Sequence, residues 1–392
     1  MRSVWSFLAV AALVAAVGVG SLAAQAPAGG QSAAAAQAPG GGRGRGGPTI
    51  APSELRSVPA EATAAKVTDP NWKAPRTAWG HPDIEGVWTS DDMRGVPTTR
   101  PKAQMDRESL TPEEFAQRAG RDEASRDRAV NQETFLRNEF GVRTFGYTSV
   151  VVDPPNGQMP AITAAAAARR KAQAGIGTFG TRPLDTFEDF SLYDRCITRG
   201  VGGINPVLYG NGVRIMQTPN EVTITYEMIH DTRVIPLDHA RPKVSSNVKL
   251  WMGDARGHWE GDTLVVETTN FTDRTSIQGL HSDRLKLTEY FTRIDPEMID
   301  YRIRVEDPET WVAPFTLRYT ITQQPDYYLY EYSCHEGNTA VEHGLRSERA
   351  YDRAVEEAKA KGLPIPPRES RGMDVYGAPD RSLPVRDVNS SD

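Results

Sequence analysis

Apolar and polar residues alternate through much of the second half of the chain. In residues 221–229, every second position from Val222 to Met228 is apolar and the positions between them are polar. A period of two predicts a β-strand with one buried and one exposed face. Similar runs occupy residues 207–217, 263–270, 285–293, 298–305, 315–322 and 327–334. Short turn sequences rich in Asn, Gly, Pro and Asp separate these runs, so successive hairpins forming an antiparallel meander are expected.

A meander leaves unpaired edges, which proteins either close or cover. The segment at residues 205–335 is therefore predicted to form a barrel or a strongly curled, lipocalin-like sheet in a mainly β fold. A few peripheral helices are expected beside it. Residues 105–175 contain a helix start signal at Thr111 and, further on, an Ala-rich run that ends at Gly175. Another helix is predicted at residues 347–361.

Glu289 lies in phase with the apolar residues Leu285, Leu287 and Phe291 of its predicted strand. If that face of the strand points inward, the carboxylate is buried. A bulge, or a slip of one residue in the register, would instead turn it outward.

The first 26 residues have the three parts of a secretory signal. Arg2 supplies the positive charge, an apolar run follows at residues 4–19, and small residues precede Ala26. We therefore expect a secreted or periplasmic protein. The alternative is a membrane anchor, because an uncleaved run of this length nearly spans a bilayer.

The composition divides the rest of the chain. Residues 27–50 form an Ala/Gly/Pro-rich segment that is expected to be a disordered linker, and residues 364–392 are expected to be an extended or disordered tail. Residues 51–363 are long enough for a single β-barrel-like domain with helical insertions.

Charge and hydropathy exclude several classes of partner. The net charge of −6 gives no basic footprint for nucleic acid. The mean hydropathy is −0.50, and no second apolar stretch is long enough to cross a membrane, so no membrane span is expected in the mature protein. The sequence contains no serine elbow, P-loop or dinucleotide glycine motif, and no cofactor is predicted. A small molecule is the expected partner.

The chain has two cysteines, Cys196 and Cys334. In an exported protein they meet an oxidising environment, which predicts a disulfide between them. The alternative is two free buried thiols, because the sequence alone gives no geometry for the bond.

Two histidines lie where a predicted strand ends and a loop begins. His230 is followed by Asp231, and His335 is followed by Glu336. A histidine beside a carboxylate can serve as a general base. The candidate catalytic residues are therefore His230, His335 and Glu336, together with Asp254. The alternative is that these side chains pair only with nearby backbone. No metal site is predicted, because the spacing around His335 does not match a known metal-binding motif.

Residues 251–262 concentrate aromatic, charged and glycine residues. Trp251 and Trp259 would stack a sugar or an aromatic ligand, and Asp254 and Arg256 would bond its polar edge. The alternative is a hairpin in which the Asp–Arg pair is structural. The candidate ligand-binding residues are Arg233, Trp251, Arg256, Trp259 and Asn338.

Four segments also carry a resemblance to known proteins. They are RCITRG at residues 195–200, MIHDTRVIPLD at 228–238, WMGDARGHWEGDTLVVETTNF at 251–271 and YEYSCHEGN at 330–338. These segments are similar to a broad group of uncharacterised secreted bacterial proteins rich in β-structure. The resemblance covers most of residues 75–345 and implies no mechanism. The G-x-W motif at Gly86 and Trp88 also resembles that of lipocalin-like barrels.

Three functions are consistent with these patterns. The first is an extracytoplasmic β-barrel protein that binds a small organic or carbohydrate ligand in a cavity lined by aromatic residues. The second is a hydrolase or lyase with its His, Asp and Glu residues at the barrel mouth. The third is a scaffold protein whose centre is filled entirely by apolar side chains.

Overall fold

The computed structural model describes residues 69, 71–131, 141–173, 183–207, 209–238, 244–274, 280–324 and 327–367. The predicted signal, the linker and most of the predicted tail lie outside these ranges, and the secreted or periplasmic location stays a prediction. None of the helices described is both long and apolar enough to cross a lipid bilayer.

One antiparallel sheet of ten strands organises the described chain. Its strands are β1 (Gly86–Thr89), β2 (Val151–Asp153), β3 (Gly212–Gln217), β4 (Glu221–Tyr226), β5 (Thr232–Pro236), β6 (Asp254–Glu260), β7 (Thr263–Thr269), β8 (Lys286–Asp295), β9 (Met298–Glu306) and β10 (Phe315–Thr322). The hydrogen-bonded order is β5-β4-β3-β1-β10-β9-β8-β7-β6, and β2 pairs with β10 beside this path. Most neighbours in the order are also neighbours in the sequence, as expected for hairpins.

The predicted barrel or strongly curled, lipocalin-like sheet is wrong. The strand order is open, with β5 and β6 at its two ends. Only an isolated bridge between Leu237 and Gly257 joins the two edges in the described chain. β5 is five residues long and ends at Pro236, which has no N–H to donate to a ladder. A continuous ladder between the two edge strands therefore does not form.

The core of the sheet contains large side chains. In β4, Val222, Ile224 and Tyr226 are buried and the residues between them are partly exposed, which confirms the alternation predicted from the sequence. The largest fully buried side chains include Trp88, Tyr301, Tyr319, Phe145, Phe271, Phe291 and Phe315. Burying one large apolar side chain contributes roughly 1.5 to 3 kcal/mol to folding, so this cluster holds the sheet together.

Three α-helices are described, α1 (Pro112–Asn131), α2 (Ala164–Gln173) and α3 (Ala340–Lys361). At the start of α1, the Glu114 N–H donates to Thr111 Oγ1 at 3.3 Å and the Thr111 N–H donates to Glu114 Oε2 at 2.9 Å. This reciprocal capping box fixes where the helix begins. α3 begins at Ala340, earlier than the predicted residue 347, and ends at Gly362 in the left-handed conformation.

Cys196 and Cys334 form a disulfide, as predicted. The bond connects the segment before β3 to the segment between β10 and α3, which are 138 residues apart in the sequence. Two loops from distant parts of the chain are therefore held together covalently.

Candidate functional site

A cavity of about 320 Å³ opens between the two edge strands, and we call it the edge cavity. β5 contributes the stretch from Thr232 to Pro236, and β6 contributes Asp254, Ala255 and Arg256. The remaining wall comes from the segment before β6, which supplies the apolar side chains Val244, Leu250 and Met252.

The cavity exists because the edges meet at one point and then remain unpaired. At that point, the Asp238 N–H donates to the carbonyl of Gly257 at 3.1 Å. The segment before β6 packs beside the opening and turns at Gly253, whose φ is +69°. A Cβ at this position would lie 2.5 Å from the carbonyl oxygen of Thr269, so the wall requires glycine here.

A buried ion pair lies beneath the edge cavity. The Arg233 guanidinium on β5 donates from Nη1 to Glu289 Oε1 at 2.9 Å and from Nη2 to Glu289 Oε2 at 2.5 Å. The two residues are 4% and 0% exposed. Two parallel bonds between a guanidinium and a carboxylate form the strongest arrangement for this pair. Of the two orientations that the sequence left open for Glu289, the structure has the inward one.

Neighbouring hydroxyls complete this network. Tyr301 donates to Glu289 Oε1 at 2.8 Å, and Arg233 donates to Thr268 Oγ1 at 3.1 Å and to the Tyr226 hydroxyl at 3.3 Å. Burial by itself would lower the pKa of Arg233, but the Glu289 carboxylate raises that pKa well above its ordinary value. Burial also raises the pKa of Tyr301, so its hydroxyl stays protonated and donates.

The second arginine of the edge cavity is also neutralised within the fold. Arg256 Nη2 lies 2.9 Å from Asp254 Oδ1, and Asp254 Oδ2 accepts the N–H of Val244 at 3.0 Å. Both arginines of the cavity lining, Arg233 and Arg256, therefore have their charges balanced by a carboxylate of the fold. The Asp–Arg pair predicted to bond a ligand has a structural contact as well.

The two candidate histidines come together away from the edge cavity. The ring centroids of His230, in the turn after β4, and His335, beside the disulfide cysteine Cys334, are 6.4 Å apart. His230 Nδ1 lies 2.8 Å from the carbonyl oxygen of Tyr332. A carbonyl only accepts, so Nδ1 carries the proton and, in the neutral ring, Nε2 holds the lone pair. Glu336 is exposed and Asp254 belongs to the cavity wall, so the four catalytic candidates are not gathered in that cavity.

The two tryptophans lie towards opposite ends of β6. Trp259 is near the end of the strand, with its ring 5.5 Å from that of His81. Trp251 precedes the strand and is half-buried. At about 3.3 Å per residue, β6 separates them by more than the width of one sugar ring. The predicted sandwich of a ligand between these rings therefore has no support in their positions.

Asn338, another candidate, has a structural contact. Its side-chain nitrogen donates to the carbonyl of Asp194 at 3.1 Å and to Cys196 Sγ at the same distance. These bonds tie the loop after the disulfide to the loop before β3.

Sequence reasoning missed a group of three tyrosines on the disulfide-linked loops, which we call the tyrosine cluster. The Tyr193 hydroxyl lies 2.9 Å from that of Tyr332 and 3.4 Å from that of Tyr209. Tyr332 belongs to the YEYSCHEGN segment, and Tyr193 lies two residues before the RCITRG segment. No residue spacing within either segment indicates that the two tyrosines are in contact. The contact depends on the bond between Cys196 and Cys334.

The described residues include no group of three or more His, Cys, Asp or Glu side chains placed to hold a metal ion. Comparison of the chain with protein-family models, curated proteins and solved structures finds no match.

Proposed function

We propose that this protein binds a small, uncharged organic molecule in the edge cavity. The observation that carries the proposal is a cavity with an apolar wall in which both arginines already have carboxylate partners, Arg233 with Glu289 and Arg256 with Asp254. An anionic ligand would have to compete with those carboxylates, whereas a neutral one would not.

The size and lining of the cavity narrow the ligand class. Its volume of about 320 Å³ lies at the lower end of the range of small-molecule pockets. The residues that line it include no aromatic ring. Stacking of a sugar has less support than burial of a compact apolar molecule against Val244, Leu250 and Met252. The polar edge of such a molecule would meet the Asp254–Arg256 pair.

The alternative of a hydrolase or lyase has less support. It requires a base, an acid and a bound substrate in one place. His230 and His335 lie near each other, but neither lines the edge cavity, and Asp254 in the cavity wall is paired with Arg256.

A neutral fluorescent probe tests the proposal. N-phenyl-1-naphthylamine becomes bright when it leaves water, so titration of the protein with the dye reports binding to an apolar cavity. We expect saturable binding by the wild-type chain. Val234 lines the cavity at the edge of β5, and V234W should weaken binding at least tenfold by filling the space.

M216W is the matched control. Met216 and Val234 lie in one cross-strand row on the exposed face, on either side of Thr223, and are 43% and 44% exposed. Met216 does not line the edge cavity. We expect M216W to bind the dye like the wild type. Equal binding by V234W and M216W, or no saturable binding by the wild type, would overturn the proposal.

A further inference from the structure

Arg199 is a partly buried cation in the loop that precedes β3. Its guanidinium donates to the carbonyl of Asn205 over a long 3.4 Å. No carboxylate of the described chain lies within ion-pair distance of it. The nearby carboxylate of Asp231 accepts the hydroxyl of Thr198 at 2.5 Å. Taking a charge out of water is costly unless an opposite charge accompanies it, and among the described residues Arg199 has no such partner.

Tyrosines lie near this cation. The titratable groups that act most strongly on Arg199 are the tyrosine cluster and Tyr226. Tyrosines are neutral at physiological pH, so they do not cancel the charge of the guanidinium. Burial accordingly lowers the pKa of Arg199.

The tyrosine cluster offers donors beside the cation. Burial raises the pKa of Tyr193 and of Tyr332, which keeps both hydroxyls protonated. A hydroxyl proton rotates about its C–O bond, so these groups can turn from one another towards an anion that enters. The rings of Tyr209 and Tyr332 are nearly parallel, with centroids 6.4 Å apart, and they add aromatic surface beside the donors.

The fold builds this arrangement from two distant segments. Tyr193 and Arg199 flank Cys196, and Tyr332 lies two residues before Cys334. The disulfide joins the two sides, and the bond from His230 to the Tyr332 carbonyl holds the second side against the turn after β4. The donors are therefore held in place before any ligand arrives, which reduces the entropy lost on binding.

We propose that Arg199 and the tyrosine cluster bind the carboxylate group of a small organic acid. A planar guanidinium matches a carboxylate, and the phenol groups add hydrogen-bond donors beside it. One cation balances one negative charge, which favours a monocarboxylate over a phosphate dianion. The aromatic surface of Tyr209 and Tyr332 favours an acid with a ring. This site is separate from the edge cavity and takes a ligand of opposite character.

Benzoate is the probe, and calorimetric titration at low salt is the measurement. We expect the wild-type chain to bind benzoate and to bind benzamide, its neutral counterpart, at least tenfold more weakly. Inorganic phosphate is the competing anion and should also bind more weakly than benzoate. Tighter binding of phosphate would overturn the assignment to a carboxylate, and equal binding of benzamide would overturn the role of charge.

The variants R199Q and R214Q separate this site from general electrostatics. Arg214 is an exposed arginine on β3, so R214Q removes the same charge from the surface. We expect R199Q to lose at least tenfold in benzoate affinity, and R214Q to retain it. Y193F, which keeps the ring and removes the hydroxyl, should show an intermediate loss. Unchanged benzoate affinity in both R199Q and Y193F would overturn the proposal.

Binding of N-phenyl-1-naphthylamine provides an independent readout of the edge cavity. R199Q should keep the dye affinity of the wild type, because the dye is neutral and Arg199 does not line that cavity. Loss of both ligands in R199Q would indicate general damage to the fold and would overturn the claim of two separate sites.

Discussion

The regions around Arg233 and Arg199 resolve the same physical problem in opposite ways. Arg233 is buried and Arg199 is partly buried, and the Tyr226 hydroxyl acts on both. Arg233 is paired with Glu289 through two hydrogen bonds. Arg199 lies near neutral tyrosines and has no carboxylate partner among the described residues. The first region carries its own counter-ion, and the second leaves that place to a ligand.

The presence or absence of a counter-ion has different consequences for the stability of the fold and for the binding of an anion. A cation compensated inside the fold contributes to the unique packing of the core, but it has little attraction left for an outside anion. A cation without a counter-ion destabilises the free protein slightly and can recover that free energy when an anion binds. The edge cavity over Arg233 is therefore proposed for neutral ligands, and the tyrosine cluster for an acid.

The largest effect is expected when the compensated pair is broken. E289Q keeps the shape of the side chain but leaves Arg233 buried without a carboxylate. We expect the free energy of unfolding, measured by urea denaturation, to fall by about 3 to 5 kcal/mol. E267Q is the control, because Glu267 pairs with Lys286 at 2.6 Å on the exposed face of the neighbouring strand. That loss should stay below about 1 kcal/mol. Similar losses in the two variants would show that Glu289 is not the counter-ion that the core depends on.

The charge of Asp91 is compensated to a degree intermediate between those of Arg233 and Arg199. Its carboxylate is buried and only partly compensated. It accepts hydrogen bonds from Thr89 at 2.6 Å and Asn211 at 2.8 Å, and Arg94 lies 3.4 Å away. Burial dominates and raises the pKa of Asp91 to about 7. The fold thus prefers the protonated carboxyl. Its contribution to stability is fully present below the ordinary pKa of an aspartate and is lost as the pH rises towards 7.

D91N tests this linkage because an amide does not titrate. Between pH 5 and pH 7, the stability of the wild type should fall by about 2 kcal/mol relative to D91N, at about 1.4 kcal/mol per unit. Urea denaturation of both proteins across this range provides the measurement. Parallel stability curves for the two proteins would mean that the carboxyl titrates in the fold as it does in the unfolded chain.

The smallest effect is expected at Arg199. R199Q removes a partly buried cation that has no counter-ion among the described residues, so the free energy of unfolding should change by less than about 1 kcal/mol, and towards greater stability. Urea denaturation without any added organic acid checks this. A loss comparable with that of E289Q would show that Arg199 is compensated within the fold, and the contrast with Arg233 would disappear.

Much of the local structure follows from the sequence. The alternation in β4 predicted its buried face, and the phase of Glu289 made a buried carboxylate one of two orientations, the one that the structure has. Thr111 predicted the start of α1, and the two cysteines predicted the disulfide. Each of these inferences depends on neighbouring residues or, for the disulfide, on a count that leaves a single pairing.

The candidate sites were less predictable. Arg233 was chosen as a ligand-binding residue, but its carboxylate partner lies 56 positions away in the sequence. Trp251 and Trp259 are close in the sequence and are separated by a strand in the structure. Arg199 was not singled out, because its lack of a carboxylate is visible only when its surroundings are assembled.

The sequence by itself determined that the second half of the chain is rich in strands, which face of β4 is buried and which two cysteines are joined. These properties follow from periodicity, turn chemistry and the small number of choices. The sequence did not determine every strand: residues 327–334, predicted as a strand, form none, and β5 and β6 form where no strand was predicted. Only the tertiary structure decided that β5 and β6 remain unpaired, that a cavity opens between them, and which buried charge has a partner. Those outcomes depend on contacts between strands and side chains that are distant in the sequence. A local pattern of apolar and polar residues does not determine such contacts.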